Sequence, residues 1–228
     1  MKLRHILPAL ALFGLGFMQA GHADTSQADA EQAAAPKMVA LKEVAQIIAK
    51  QKQVSVLREA EQFAGKRKTP LLVEDKVITG EKARAQIKFI DGTLTTLGAD
   101  SEMLIEEFSW SKDRPDPKAE FRLIKGVFRT VTGAITKVTR PDYKVHTPVG
   151  SIGIRGTDFW GGYLDGDAID VLFVGGEHEI VVSNEYGTTV LKKPGQGTTI
   201  KAGQAPGKAK VWPKDKVARA VKTISMEK

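Results

Sequence analysis

The sequence predicts a mainly β protein: one all-β domain, built as a β-roll or solenoid or as a two-layer sandwich, closed by a short C-terminal helix. Three observations lead there. Turn-forming residues recur roughly every 8–12 residues, the spacing of short antiparallel strands. Between them apolar and polar residues alternate with period two, the pattern of a half-buried strand. A clear helical pattern comes only late, over residues 214–224, where Val217, Val221 and Ile224 share one face.

The chain has 228 residues, enough for a substantial core. Residues 1–23 have the layout of a secretory leader: Lys2 and Arg4, an apolar run over residues 6–20, then small residues around Gly21 and Ala23. The run is short for a membrane span, and no later run approaches that length. Residues 24–43 read as a flexible mature N-terminus, rich in Ala, Gln, Asp and Glu as far as Pro36. Cysteine is absent, so the expected exported chain relies on its core, without disulfides or thiolate chemistry. The formal charge is +7, and two of those positive charges, Lys2 and Arg4, leave with the leader. The remaining excess is spread along the chain, with Lys66-Arg67-Lys68 its one compact run, which argues against a nucleic-acid partner.

Residues 39–58 fit either element: Leu41, Val44, Ile47 and Ile48 suit a helix face, whereas Val54 and Val56 suit a strand. From Thr69 onward strands dominate. Ala83, Ala85, Ile87 and Phe89 alternate with Arg84, Gln86 and Lys88 before Asp91-Gly92, a strong hairpin signal. Met103 and Ile105 alternate with Glu102, Leu104 and Glu106, and residues 112–118 form a polar loop. Strands resume at Phe121, Val127, Ile135, Ile169, Ile180 and Thr189, punctuated by Gly126, Gly133, Gly175-Gly176 and Tyr186-Gly187. The core domain is expected over residues 44–206, and a helical cap over residues 207–228.

The least ordinary run is residues 143–162. Tyr143, Val145 and Thr147 alternate with Lys144 and His146, and Pro148 then removes a backbone donor. Gly150, Gly153 and Gly156 follow at a spacing of three, which suggests tight bends or closely approaching backbones. Arg155 stands among apolar residues. If buried, its five donors need partners, and the reading is of a pin between neighbouring strands, with Asp158 as one candidate partner. The run reads as an architectural corner.

No reactive constellation is convincing. Ser151, His146 and Asp158 supply the residue types of a triad without a nucleophile elbow. Glu177-His178-Glu179 offers ligand types without a histidine partner at metal spacing, with both His146 and His178 placed in strands. Alternation sends one of Glu106 and Glu107 inward and one outward, which suits no carboxylate pair. Asp165, Asp167 and Asp170 resemble a calcium loop lacking its terminal glutamate, so a turn is expected. Gly153-Ile154-Arg155-Gly156 matches a nucleic-acid-clamping loop in letters, but strands flank it. Trp110, Trp160 and Trp212 fit either a binding face or buried anchors, the second being the commoner use. No catalytic residue, metal site or cofactor is assigned.

The ordered motifs nevertheless resemble a family. Val77-Ile78-Thr79-Gly80, Phe89-x-Asp91-Gly92-Thr93-Leu94, Leu97-Gly98, and Gly126 with Arg129 and Gly133 come in sequence. Thr147-Pro148-x-Gly150-x-Ile152-Gly153-Ile154-Arg155-Gly156-Thr157 follows, then Val174-x-Gly176 and Asn184-x-x-Gly187. Together residues 44–206 resemble the FecR domain of ferric-citrate signalling regulators. The resemblance implies a β-rich periplasmic domain, which in FecR itself follows a cytoplasmic helical domain and one membrane span, and receives a signal from an outer-membrane transporter. Here the apolar segment begins at residue 6, so the expectation is an exported, stand-alone member without the sigma-regulating part. Asp91, Gly92, Thr147, Pro148, Gly150, Gly153, Arg155, Gly156 and Thr157 then serve as fold determinants.

The sequence thus points to a periplasmic, non-catalytic interaction or regulatory module. Its expected partner is an envelope protein that meets an open strand edge or β face. The alternative is an envelope protein that binds polysaccharide or peptidoglycan through exposed aromatic rings beside carboxylates.

Overall fold

The computed structural model describes residues 42–112, 116–139 and 141–226. The expected leader, and the N-terminal stretch up to residue 41, lie outside the described residues. Among the described residues eighteen strands, numbered along the chain, form two nine-stranded sheets. The first sheet runs β4 (Pro70–Leu71), β1 (Ala45–Gln51), β6 (Arg84–Phe89), β7 (Leu94–Leu97), β10 (Val127–Val131), β13 (Thr157–Tyr163), β14 (Ile169–Gly176), β17 (Gln196–Ile200), β18 (Lys210–Val211). The second runs β3 (Glu61–Ala64), β2 (Val54–Arg58), β5 (Lys76–Thr79), β8 (Glu102–Ser109), β9 (Lys118–Lys125), β11 (Asp142–Thr147), β12 (Gly150–Ile154), β15 (Ile180–Asn184), β16 (Gly187–Leu191).

Spatial order follows chain order in both sheets, apart from a swap at their first ends. The chain lays a strand or hairpin in one layer, crosses over, lays the next in the other, and so advances along a common axis. Neighbours pair antiparallel except β9 and β11, which are parallel because β10 has crossed to the other layer between them. The two forms expected from sequence are therefore one object, a two-layer sandwich wound as a roll.

Alternation explains the layers. In β6, Ala85, Ile87 and Phe89 are buried while Lys88 is exposed, and Asp91-Gly92 turns the chain back into β7, with Gly92 at φ +88°. Residues 45–51 and 54–58 resolve as strands. The helical reading there loses because Ile47 finds Ile87 across β6, and Val56 finds Val77 across β5. Long-range pairing on a buried face outweighs local propensity. The shared core holds Phe89 stacked on Phe108 at 5.0 Å, and Phe121 edge-on to Phe89 at 5.2 Å, joining the two layers.

Helix α1 (Lys214–Ile224) lies on the outer face of the first sheet. Ala220 and Ile224 pack with Val127, Trp160, Leu172 and Trp212 in a second apolar cluster. Lys216 donates to the buried Asp170 at 2.8 Å and lies 4.1 Å above the Trp212 ring. Trp160 donates its indole N–H to Thr223 Oγ1 at 3.0 Å.

Candidate functional site: two grooves at the ends of a glycine-bearing hairpin

The β11–β12 hairpin and its crossing into β13 carry the unusual run, and a groove opens at each end of it. At the hairpin tip, Thr147 donates its hydroxyl to the Gly150 carbonyl at 2.7 Å and closes the turn over Pro148. Gly150 sits so close to β15 that a Cβ there would lie 2.7 Å from the Ser183 carbonyl oxygen. Asn184 fastens the tip, its amide donating to the carbonyls of Val149 at 3.2 Å and Gln204 at 2.7 Å. These turns, with Ala202 and Gly203, wall a groove of about 450 Å³ that also takes in Arg122, His146, Ser151, Ser183 and Tyr186. Tyr186 is 53% exposed.

At the other end, Thr157 donates its backbone N–H to Thr132 Oγ1 at 2.8 Å and its hydroxyl to the His178 carbonyl at 3.0 Å. A second open groove, about 520 Å³, is lined there by Val131, Lys137, Thr157, Asp158, Gly176, Glu177 and His178 among others. A threonine, an imidazole and two carboxylates therefore do share an open groove. Their bonds argue for structure over reactivity. The Thr157 hydroxyl proton is committed to a carbonyl, and the Asp158 carboxylate is gripped by Arg129 at 2.8 and 2.6 Å. Hydrogen bonding to Asp158 raises the Arg129 pKa further.

Two expectations need correction. Arg155 is exposed rather than buried, and Asp158 belongs to Arg129; the ion pair between strands joins β10 and β13. Arg155 projects outward because Ile152 and Ile154 take the inward positions on β12. His178 lies in the turn between β14 and β15, not in a strand, whereas His146 is in β11.

Glu106 and Glu107 also depart from simple alternation. An irregularity between Ile105 and Glu107 inserts one extra residue, so neither carboxylate is buried and both form ion pairs, Glu106 with Arg122 and Glu107 with Lys118, each at 2.6 Å. Ser151 and His146 face each other across β11 and β12, while Asp158 lies in the other sheet, so the triad types do not assemble. Among the described residues no cluster of three histidine, aspartate or glutamate side chains is placed to hold a metal. Asp165 pairs with Arg219 and Asp170 with Lys216, tying the β13–β14 turn region to α1. Trp160 and Trp212 are buried edge to face, and Trp110 packs half-buried on the main core.

The Asp91-Gly92-Thr93 run does more than turn the chain. Asp91, 7% exposed, accepts from Thr93 N–H at 3.0 Å, from the Thr93 hydroxyl at 2.7 Å and from Ile135 N–H at 3.2 Å. Thr93 Oγ1 in turn accepts from Gly133 N–H at 2.8 Å. A Cβ on Gly133 would lie 2.4 Å from the Thr93 nitrogen, so only glycine admits this contact. The run from Ile135 to Val138, expected as a strand, instead opens in the 3-10 segment Ala134–Thr136, and its pairing with the Asp91 turn is invisible to local pattern. So is the fully buried Asp75, which accepts from Arg58 at 2.7 and 2.8 Å and from Leu72 N–H at 2.8 Å.

A two-layer β roll with these motifs at its turns defines the class. Residues 75–177 match the family model described as FecR protein. That span, a little under half of the chain, contains the motifs from Val77 to Gly176. Two solved structures are similar, both titled as a "putative anti-sigma factor" from Parabacteroides distasonis ATCC 8503, at 1.65 and 2.50 Å resolution. Each shares 15% identity and a TM-score of 0.48, over 63% of this chain and 62% of the other. The chain thus spans less than two thirds of their length. No curated protein matches.

Proposed function

We propose that this protein is an exported, non-catalytic interaction module of the bacterial cell envelope, serving regulation or signalling through a protein partner in the periplasm. In this reading residues 1–23 are a cleaved leader, residues 24–43 a flexible lead-in, residues 44–206 the FecR-type domain and residues 207–228 its cap.

The observation that carries the reading is the state of the four sheet edges. At the β16 edge, Thr189 donates to the Pro206 carbonyl and Asn184 to that of Gln204, so the following segment runs beside it. The β18 edge is two residues long and leads directly into α1. The β4 edge is also two residues long and begins with Pro70, which has no N–H to offer. β3 is the remaining edge. Glu61, Gln62 and Ala64 are exposed there, and among the described residues β2 is its one partner strand. An exposed edge of this kind is a template for a strand from another chain, held by main-chain hydrogen bonds.

The test is a photo-crosslinking residue at Ala64, with a second at Val181 as control, in the protein expressed in its own envelope. One defined protein captured at position 64 and not at 181 is the expected result. Capture of glycan alone, or the same protein at both positions, overturns it.

A further inference from the structure

The groove at the hairpin tip continues onto the outer face of the second sheet as an ordered row. Strand register places His146 beside Arg122, Ser151 opposite His146, Ser183 opposite Ser151, and Thr188 opposite Ser183. Five hydrogen-bonding side chains on five consecutive strands thus stand in a line perpendicular to the strands, about 4.8 Å apart. The Ser151 and Ser183 hydroxyls are 3.3 Å from each other. The turns holding Pro148 and Tyr186 rise beside the line, and Tyr186 offers an exposed ring.

The charges on the strands of the row are already matched, and the turn beside it adds one exposed carboxylate, Glu185, at the rim. Arg122 gives its Nε–H to Glu106, and Lys144 lies 2.7 Å from Asp142 and 3.8 Å from Glu120. His146 lies 3.9 Å from the same Glu120. An ionic ligand gains little from such a surface, whereas a neutral ligand rich in hydroxyls meets donors and acceptors at each step. The repeat between strands is close to the rise of one sugar in an extended β-linked glycan. An aromatic ring at the rim supplies an apolar face for a sugar ring while its hydroxyl stays wet.

We propose that this row and its Tyr186 rim form a binding groove for an extended, neutral, β-linked polysaccharide, laid across the strands. The site is separate from the protein-binding edge proposed above, since β3 and β16 end the same sheet at opposite sides. Failure of one reading leaves the other standing.

Cellotetraose, chitotetraose and maltotetraose serve as probes for the purified protein, followed by amide shift mapping and calorimetry. At least one of the two β-linked tetrasaccharides should shift Ser151, Ser183 and Thr188 and bind more tightly than the coiled α-linked maltotetraose. Tyr186→Ala should weaken that binding about tenfold with an unchanged melting temperature, because the Tyr186 contact with Asn184 uses the backbone N–H, which alanine keeps. Absence of shifts along the row with all three probes, equal affinity in Tyr186→Ala, or shifts confined to the groove beside His178 overturns the proposal.

Discussion

Arg129 on β10 reaches diagonally to Asp158 on β13, which stands opposite Val131, through two hydrogen bonds, Nε to Oδ1 at 2.8 Å and Nη2 to Oδ2 at 2.6 Å. This fork couples two central strands of the first sheet beside the region covered by α1, in a partly screened site with side chains 32% and 21% exposed. Arg129→Ala should cost about 1–2 kcal/mol and lower the melting temperature by roughly 2–8 °C. Arg155→Ala, on an exposed side chain, should leave the melting curve in place. Calorimetry on the pair decides it, and equal losses would contradict the assignment.

Asp91 presents a sharper case. Asp91→Ala strands the N–H groups of Thr93 and Ile135 in a nearly buried site, for a loss of about 3 kcal/mol. Gly133→Ala drives a methyl into the same turn and should be at least as damaging. Chemical denaturation should show lower midpoints with an unchanged slope, and a variant as stable as the parent would refute the bracing role.

The acid response should run partly through Glu102. Burial pushes its pKa up, but hydrogen bonds from Lys125 and Lys76 overcome that and hold it below the usual carboxylate value. A carboxylate with a depressed folded-state pKa stabilises the fold above its unfolded pKa. That contribution fades as pH falls through the lower, folded value. Stability measured by urea unfolding should therefore drop on acidification below about pH 4–5, and Glu102→Gln should flatten part of that drop. An acid limb of unchanged steepness in the variant would exclude Glu102 as a contributor.

Helix α1 predicts an optical signal. Ending the chain after Pro213 removes Ala220, Thr223 and Ile224 from the outer face and uncovers Trp160, which is fully buried in the intact protein. Tryptophan emission should move to longer wavelength while far-ultraviolet dichroism keeps its β character. Emission indistinguishable from the intact chain would mean that the helix does not shield Trp160.

Strand content was legible because Ala83, Ala85, Ile87 and Phe89 announce a period of two whichever sheet receives them. For the same reason the layer assignment was not legible: both sheets bury one face on a common core, so a strand in either reads alike. The insertion at Glu106 did leave a trace, since Met103 and Ile105 are two apart but the next buried residue, Phe108, is three further on. Arg155 was misread from its apolar company, although counting outward from Ile152 and Ile154 already placed it in solvent. The row from Arg122 to Thr188 needs strand register, which depends on how five segments meet and is written in none of them alone.

The orderly progress of both sheets along one axis has a bearing on how the molecule comes to exist. Each coil rests chiefly on the coil laid down before it, so stability is close to a sum of neighbouring terms, and damage in one coil is felt mainly by the next. A chain emerging N-terminus first can settle in the order in which it appears, with helix α1 arriving last to seal the outer face. Lengthening such an object requires only another pair of hairpins before the seal, with no rethreading of what is already in place.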